Sequence, residues 1–590
     1  MDRGTPRSGG PFPARLAGTL LFVVALTAGA PWLAPRGAAR AQTPPAIPPS
    51  AAASDPAASP SPSGSPAAPV APVPLPAPSA VPPSPGANGP SAPGATPIPY
   101  ETPTQPPIIV DPASAGVVPG ASERLRVSQV LGTITATVQD PAIVEVSVDQ
   151  VARVVTVLGK ALGSTVITVR DDRGLTRDVP VRVADPAGVV GDTAFVRLTG
   201  RPASQAFVRE RALAAALAVQ QPRAGAAVVA TADSIQVAAP LRVDDVATID
   251  VPIIIAGASY FSVQGTTHVR VENFAQPVIR PQSLLVSDFP ETLKENGILF
   301  TADLNAKQAD RFLYYHYNPP GQPDRRIVLK VQNPSGQPAL VQFITGIAGP
   351  DVNEMQVGHL STERFLVRLA QNEGSVETIP GNTTATLLAQ GLPARSVVSG
   401  LLQLHEIEGA PLHLTLVAQN AADPVDGPIA PSALLDGDRP HARGIYTIPE
   451  FFFNYRYDAQ GPDLEIPIGQ IPLPNLVQGQ TLAGDYGVLQ SVTIDIVNDD
   501  RRNARQIALY ANPRGGKATG TFVIDRVLVQ AHAMAPFGHY KLRQYTIPPD
   551  SHVRTEIVTM PEGGSSYPLR LIVAPDDGSP PPGAPDSLAY

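Results

Sequence analysis

Apolar and polar residues alternate in short runs along most of the chain after about residue 108. In the run 178–183 the three valines occupy alternate positions and share one face, which is typical of a half-buried strand. Turn residues such as Asp140-Pro141 and Gly174 separate these runs. The spacing over residues 108–185 therefore predicts a small immunoglobulin-like sandwich.

One segment has a different pattern. Strong helix formers follow Ser204, a suitable N-cap, and continue until Pro222, where a helix must end. Strand-like runs flank this segment at 194–198 and 227–237. The pattern predicts the only convincing helix of the chain, inside a small α+β domain over residues 186–277.

The C-terminal half contains an apparent internal duplication. The alternating run 327–333 resembles 492–498, and each ends in an Asn that can open a polar turn. The run 411–418 is similarly echoed by 568–574. Two markers in the same order at similar intervals predict two related β-sandwiches, over residues 278–430 and 431–580, with a disordered tail at 581–590.

The first 107 residues have the composition of targeting and linker segments. Arginines, an apolar run over 16–30 and a small-residue ending at Ala41 predict a signal peptide over residues 1–41. Residues 42–107 hold 23 of the 69 prolines and are otherwise mostly Ala, Ser and Gly, which predicts a disordered tether. The predicted fold class is thus mainly β: tandem Ig-like and β-sandwich domains with one small α+β domain, preceded by a Pro-rich segment.

Charge and cysteine content exclude several classes of partner and site. The net charge is −8 without a basic cluster, so nucleic acid is not an expected partner. The chain has no cysteine, which excludes disulfides, a lipoprotein anchor and thiolate metal sites. We expect no transmembrane segment in the mature chain and a periplasmic, cell-surface or extracellular location; the oligomeric state is left open.

The predicted Ig-like domain carries a family resemblance. Its runs 140–146, 155–159 and 162–169 combine turn-forming residues with core valines. They resemble the N-terminal domain of pilus-assembly secretins and related bacterial Ig-like domains. The resemblance implies a periplasmic or surface module and supplies no catalytic residue.

A second resemblance covers residues 279–575. The stretches that carry it are 313–316, 357–360, 397–400 and 484–488. They loosely resemble a secreted domain family of unknown function, known from cyanobacteria and other bacteria. This family also supplies no catalytic residues.

Motifs for common enzyme classes are absent from the sequence. His405-Glu406 begins like a zinc-protease helix, but Gly409 stands where the second metal ligand is needed. The sequence has neither a Gly-x-Ser-x-Gly elbow nor a Walker-type phosphate loop. We therefore expect a non-enzymatic protein without catalytic residues, cofactor or metal.

Two weaker site hypotheses remain open. His316, His359 and Glu363 could form an enzyme site only if the fold brought them together, and structural histidines are the preferred interpretation. The turns 436–438 and 498–500 offer oxygen ligands for Ca²⁺, but neither matches a complete loop motif, so solvated turns are preferred.

Aromatic side chains form the most unusual local feature. A strand over 451–457 would place Phe451, Phe453, Tyr455 and Tyr457 on one face. Such a row is either core or a ligand platform, and core packing is preferred. Tyr314 and Tyr317 form a second aromatic candidate for a ligand or interaction surface.

These observations favour an exported envelope protein with a scaffold or adhesion role. The expected partner is another envelope protein. One alternative is a protein that binds surface polysaccharide through its aromatic residues. Another is an accessory role in a pilus or secretion system, which follows only from the secretin resemblance.

Overall fold

A computed structural model describes residues 105–426, 429, 432–437, 441–475 and 481–580. The predicted signal peptide, nearly all of the predicted tether and the predicted tail lie outside these residues. Within the described ranges the chain is mainly β, and the predicted fold class is confirmed.

The Ig-like region consists of two four-stranded sheets, ordered β1-β3-β6-β5 and β2-β8-β7-β4. The valines at 179, 181 and 183 all point into the core between the sheets, as their alternation predicts. The strands are β1 (Ile109–Asp111), β2 (Ala115–Val117), β3 (Ser122–Ser128), β4 (Ile134–Val138), β5 (Val144–Asp149), β6 (Val154–Gly159), β7 (Gly163–Asp171) and β8 (Thr176–Val183).

The α+β region contains the predicted helix, α1 (Gln205–Ala218), whose N-cap is Ser204. The Ser204 hydroxyl accepts a hydrogen bond from the Phe207 amide at 3.2 Å. One face of α1 packs on the sheet through Phe207 and Val208. The strands are β9 (Gly188–Val189), β10 (Thr193–Thr199), β11 (Gln221–Pro222), β12 (Ala227–Val229), β13 (Val246–Ala256) and β14 (Val263–Asn273).

We call the regions predicted as sandwiches over residues 278–430 and 431–580 repeat 1 and repeat 2. In repeat 1, the four-stranded sheet β16-β23-β18-β21 packs on a second, larger sheet. Phe312, Leu329 and Leu416 lie in the core between them. The strands are β15 (Pro281–Ser287), β16 (Gly297–Asp303), β17 (Ala309–Asn318), β18 (Arg325–Asn333), β19 (Ala339–Asp351), β20 (Gly374–Ile379), β21 (Thr383–Leu392), β22 (Ser396–Glu408) and β23 (His413–Asn420).

A second helix, α2 (Glu354–Gln371), lies between β19 and β20, so the expectation of a single helix was wrong. Asn353 caps its N-terminus by accepting a hydrogen bond from the Gln356 amide. The helix ends at Asn372, which has the left-handed backbone conformation common at helix ends. It packs very closely on β19, because a Cβ at Gly346 would lie 2.3 Å from the Ser361 carbonyl oxygen.

The larger sheet of repeat 1 continues into the α+β region. Its order is β12-β13-β14-β10-β20-β19-β22-β17-β15-β24, where β24 is Arg443–Tyr446. β10 joins the two parts, because it pairs parallel with β14 and antiparallel with β20. The sheet thus runs across the boundary predicted at 277–278, and at its other end it takes in a strand from beyond residue 431.

Repeat 2 is a sandwich of the sheets β25-β27-β32-β29-β30 and β26-β33-β28-β31. Its core contains Ile494, Leu509 and Leu571. The strands are β25 (Glu450–Asp458), β26 (Leu464–Ile468), β27 (Leu489–Asn498), β28 (Arg505–Pro513), β29 (Ala518–Ile524), β30 (Val527–Met534), β31 (Tyr540–Ile547), β32 (Ser551–Thr559) and β33 (Leu569–Pro575).

The two repeats have the same strand order. The sheets β15-β17-β22-β19-β20 and β16-β23-β18-β21 correspond strand for strand to those of repeat 2. β23 and β33, which contain most of the runs 411–418 and 568–574, occupy the same position in this strand order. The predicted equivalence of the runs 327–333 and 492–498 was wrong. The run 327–333 lies in β18, which corresponds to β28, whereas the run 492–498 lies in β27, which corresponds to β17.

Hydrogen bonds identify the equivalent asparagines. Asn318 at the end of β17 donates to the Pro323 and Leu392 carbonyls, and Asn498 at the end of β27 donates to the Asn503 and Ile547 carbonyls. In each case one acceptor is five residues further along the chain and the other is the last residue of β21 or β31. Asn318 is therefore the counterpart of Asn498.

Candidate functional site

The aromatic row on β25 faces the interior of repeat 2. Phe451, Phe453, Tyr455 and Tyr457 share one face, as predicted, and the first three rings stack with centroids 5.7 and 6.3 Å apart. Tyr457 is buried and the other three are half-buried. Phe453 and Tyr455 pack against the core of the sandwich. The row therefore does not form a fully exposed platform.

The second aromatic candidate lies in repeat 1. Tyr314 is fully buried, and its hydroxyl donates to Gln390 Oε1 at 2.7 Å. Burial raises the pKa of Tyr314 well above its ordinary value. Tyr317 is half-buried at the end of β17. The two aromatic candidates thus lie in different sheets of different repeats.

The histidines proposed for an enzyme site have separate partners. His316 lies between the Ser287 hydroxyl and the Pro290 carbonyl, and burial lowers its pKa to about 4. His359 instead contacts Glu562 of repeat 2. No hydrogen bond within the described ranges joins either imidazole to the other or to Glu363. His405-Glu406 lies on strand β22 and not on a helix.

A buried ion pair joins α2 to repeat 2. His359 Nδ1 lies 3.0 Å from Glu562 Oε2, and both side chains are fully buried. Glu562 also accepts hydrogen bonds from the Thr519 and Thr521 hydroxyls at 2.5 and 2.6 Å. The helix approaches the Glu562 loop closely, since a Cβ at Gly358 would lie 1.6 Å from the Gly563 carbonyl oxygen.

The pKa values of His359 and Glu562 are shifted in opposite directions. Burial disfavours the charged forms of both groups, but each charge favours the other. The pKa of His359 is therefore raised, and the pKa of Glu562 is lowered with help from the two threonine hydroxyls. Both shifts favour the ionised forms of the two groups, and the pair connects repeat 2 to repeat 1.

A second buried pair connects the repeats. Arg311 on β17 is fully buried, and its Nη2 lies 2.9 Å from Glu450 Oε1 at the start of β25. Its Nη1 donates to the Pro449 carbonyl at 2.8 Å, and its guanidinium lies over the Phe365 ring of α2. Arg311 therefore links β17, α2 and β25 at one point.

Sequence reasoning missed an acidic cluster near the end of β15. His441 lies 3.4 Å from Asp288 Oδ2 and 3.1 Å from Glu291 Oε2. Burial is the main cause that raises the pKa of Asp288 to about 7. His441 is distant from the carboxylates in sequence and comes next to them only because β24 pairs with β15.

The acidic turns considered for Ca²⁺ are held by internal hydrogen bonds as far as the structure describes them. Asp500 accepts from the Arg502 and Asn503 amides and from Arg505. Asp438 lies outside the described residues. No group of three or more His, Cys, Asp or Glu side chains suited to a metal ion occurs among the residues described.

Among the described residues, nothing covers one face of the sheet in the α+β region. Helix α1 covers one side of β13, β14 and β10, and the opposite side presents Phe195, Val229, Val246 and Ile254 to solvent. Phe195 is 54% exposed, and Val229 pairs directly with Ile254. We call these four residues, together with Arg197, the open sheet face.

Arginine and aromatic groups combine on this face. The Arg197 guanidinium lies 5.8 Å from the Phe195 ring centroid and 5.2 Å from that of Phe274. Arg197 also lies 3.6 Å from Glu272 Oε2. Interfaces between proteins are enriched in aromatic residues and arginine, so the chemistry of this face suits contact with a protein.

Comparisons with known proteins give no family for the chain. No family model and no curated protein matches it. Among solved structures, the human desmocollin-1 ectodomain is similar at 11% identity and a TM-score of 0.12 over 30% of this chain and 43% of the ectodomain. The chain thus spans less than half of that structure.

Two other solved structures are similar at the same level. SGBP-B of the Bacteroides ovatus mixed-linkage glucan utilization locus, solved in complex with a mixed-linkage heptasaccharide, matches at 11% identity and a TM-score of 0.12, over 51% of this chain and 72% of that chain. The tandem Ig repeats of Dlar match at 9% identity and a TM-score of 0.12, over 28% and 98%. Similarities this low do not bear on the function of the chain.

Proposed function

We propose that this chain is an exported, non-enzymatic bacterial envelope protein that acts as a scaffold or adhesion protein by binding another protein through its open sheet face. The exposed Phe195 beside Arg197 carries the proposal. Aromatic and arginine side chains contribute a large share of binding energy in protein interfaces. Val246 adds apolar area close to Arg197, because both residues pair with Glu272. Val229 and Ile254 form a second apolar area farther along the same face.

The open sheet face is held by a rigid support, which favours the binding of a partner. The sheet continues from β14 through β10 into repeat 1. Behind it, Arg368 of α2 donates to Glu210 of α1 at 2.5 Å and lies over the Phe207 ring. Such a preorganised face loses little conformational entropy when a partner binds.

Other features favour a protein partner outside the cytoplasm. The N-terminal pattern of residues 1–41 supports export. Neither helix in the described part of the chain is long and apolar enough to cross a bilayer. The alternative role, polysaccharide binding, requires exposed and coplanar aromatic rings. The aromatic row of β25 faces the interior of repeat 2 instead, so protein binding is the better-supported role.

Cross-linking in intact cells tests the proposal. A tagged full chain is cross-linked, purified from the envelope fraction and compared with the variant F195D/I254D. We expect the wild type to capture a reproducible partner and the variant to lose it, because two carboxylates would disrupt an apolar contact.

The control is L131D/V151D, which changes two exposed apolar residues of the Ig-like region. This control should capture the same partner as the wild type. Equal capture by F195D/I254D, or recovery of the chain only from the cytoplasm, would exclude the proposed role.

A further inference from the structure

The first strands of the two repeats differ at their outer edges. In repeat 1, β24 pairs antiparallel with β15 from Leu284–Tyr446 to Ser287–Arg443. In repeat 2, the corresponding strand β25 pairs with β27 on one side, and no strand among the described residues pairs with its other side. An edge of nine residues is thus left open in repeat 2, whereas its counterpart is occupied.

Residue-by-residue equivalence follows from the strand register. Leu285 pairs with Phe312, which lies six residues before Asn318. Phe453 pairs with Val492, which lies six residues before the equivalent Asn498. Leu285 therefore corresponds to Phe453, Leu284 to Phe452 and Val286 to Asn454.

Exposure differs sharply between these equivalent residues. Leu284 is 0% exposed beneath its neighbours, whereas Phe452 is 51% exposed. Val286 is buried and Asn454 is exposed. Phe453 points inward like Leu285 but is only half-buried. Leu284 and Val286 owe their burial partly to Phe365 of α2 and Val488 of repeat 2, which pack on that face. The half-burial of Phe453 on the inner face fits a strand that lacks its outer neighbour.

The backbone N–H and C=O groups of β25 that do not bond to β27 point to the open edge. The Leu489 amide donates to the Pro449 carbonyl, and the Ala459 amide donates to the Val497 carbonyl. Odd-numbered residues of β25 therefore bond to β27. Because N–H and C=O directions alternate along a strand, those of Phe452, Asn454 and Arg456 point to the open edge.

We propose that the outer edge of β25 is a docking site for an extended strand of a partner protein, which runs antiparallel to β25 as β24 runs along β15. Strand addition of this kind gains affinity from main-chain hydrogen bonds and specificity from alternate side chains. The site extends the binding role to a second surface, and it stands whether or not the open sheet face binds.

The occupied edge of repeat 1 indicates the chemistry of this partner strand. Tyr446 lies opposite Leu284, so an aromatic or large apolar residue fits opposite Phe452. Ile445 lies opposite Leu285, so an apolar residue fits opposite Phe453. The exposed Arg456 favours a carboxylate beside it.

A peptide of residues 441–448, which contains β24, serves as the probe. Its binding to the purified full chain is followed by fluorescence anisotropy, with a scrambled peptide as control. The variant Asn454→Pro places a proline where the N–H points outward, so the bonds to β27 remain while the edge is blocked. The control Asn454→Ala keeps the backbone donor.

We expect the wild type and N454A to bind and N454P to bind at least about tenfold more weakly. Absence of wild-type binding, or equal binding by N454P or by the scrambled peptide, would overturn the proposal. If N454P does not fold by circular dichroism, Phe452→Ser replaces it, with an expected loss of about threefold or more because the apolar cross-strand pair is removed.

Two further readouts identify other occupants, and either would overturn the proposal. Light scattering that finds a wild-type dimer and an N454P monomer would assign the edge to a second copy of the chain. Slow hydrogen exchange of the Phe452 and Asn454 amides in the isolated chain would assign it to residues of the same chain. We expect a monomer in which these amides exchange rapidly until the peptide is added.

Discussion

His359 on α2 and Glu562 between β32 and β33 form a fully buried ion pair, with 3.0 Å between Nδ1 and Oε2. The pair links the two repeats, and Thr519 and Thr521 donate further hydrogen bonds to the carboxylate. A buried charge that loses its partner is costly, so this pair makes the packing of the repeats sensitive to single substitutions.

Replacement of Glu562 by Gln tests this sensitivity directly. The substitution removes the charge that balances His359 and should lower the free energy of unfolding by about 3 kcal/mol. Denaturant unfolding of the full chain measures the change. The exposed Glu556→Gln on β32 is the matched control and should change it by less than about 0.5 kcal/mol. Equal effects of the two substitutions would contradict the structural role of the pair.

The same pair predicts a pH dependence. The raised pKa of His359 adds stability that is complete below the unfolded value, about 6.5, and is lost as pH rises through the folded value. The lowered pKa of Glu562 adds stability that is present above about 4.3 and is lost at lower pH. The stability difference between the wild type and His359→Gln should therefore be largest between these limits and shrink above about pH 6.5. A difference that grew with pH would refute this assignment.

Arg311 provides a second comparison within the repeat junction. Arg311→Met leaves the Glu450 carboxylate and the Pro449 carbonyl without this donor and should destabilise the chain by about 3–5 kcal/mol. Arg280 lies 3.9 Å from the other oxygen of Glu450 but is 72% exposed at its side chain. Arg280→Gln should therefore cost less than about 1 kcal/mol in the same unfolding experiment. A larger loss from Arg280 than from Arg311 would reverse the assigned roles.

Two buried tyrosines should respond to hydroxyl removal in opposite ways. The Tyr314 hydroxyl donates to Gln390, so Tyr314→Phe should destabilise by about 1–2 kcal/mol. The buried Tyr457 hydroxyl has no hydrogen-bond partner within the part of the chain that the structure describes. Tyr457→Phe should therefore be neutral or stabilise by up to about 1 kcal/mol. Thermal unfolding of both variants decides this, and a larger loss at Tyr457 would show that its hydroxyl is bonded.

Local patterns in the sequence predict the strands and α1 because alternation and capping act over a few residues. Helix α2 was missed although Asn353 is a suitable N-cap and Val357, Phe365 and Leu369 have helical spacing. Gly358 weakens that pattern, since glycine disfavours helix interiors. It is present because α2 contacts the Gly563 carbonyl, which lies far away in sequence.

The alternating runs indicate that the C-terminal half contains two similar units, but they do not show which strands of the two units correspond. Alternation and a final Asn are common to β17, β18 and β27, so they cannot identify equivalent strands. The pairs Asn333-Pro334 and Asn512-Pro513 are more specific and mark β18 and β28 correctly. The buried contacts of His359 and Arg311 could not be predicted, because their partners are 203 and 139 residues away.

Hydroxyl-radical footprinting tests the central claim, binding through the open sheet face, most directly. Phe195, Phe452 and Phe537 are exposed phenylalanines that each lie beneath an arginine, and Phe537, at 64% exposure, serves as the reference. Oxidation of each is compared between the purified chain and the chain in native envelopes. We predict that Phe195 is protected severalfold relative to Phe537 in envelopes. Equal oxidation of Phe195 in the two samples would contradict the claim.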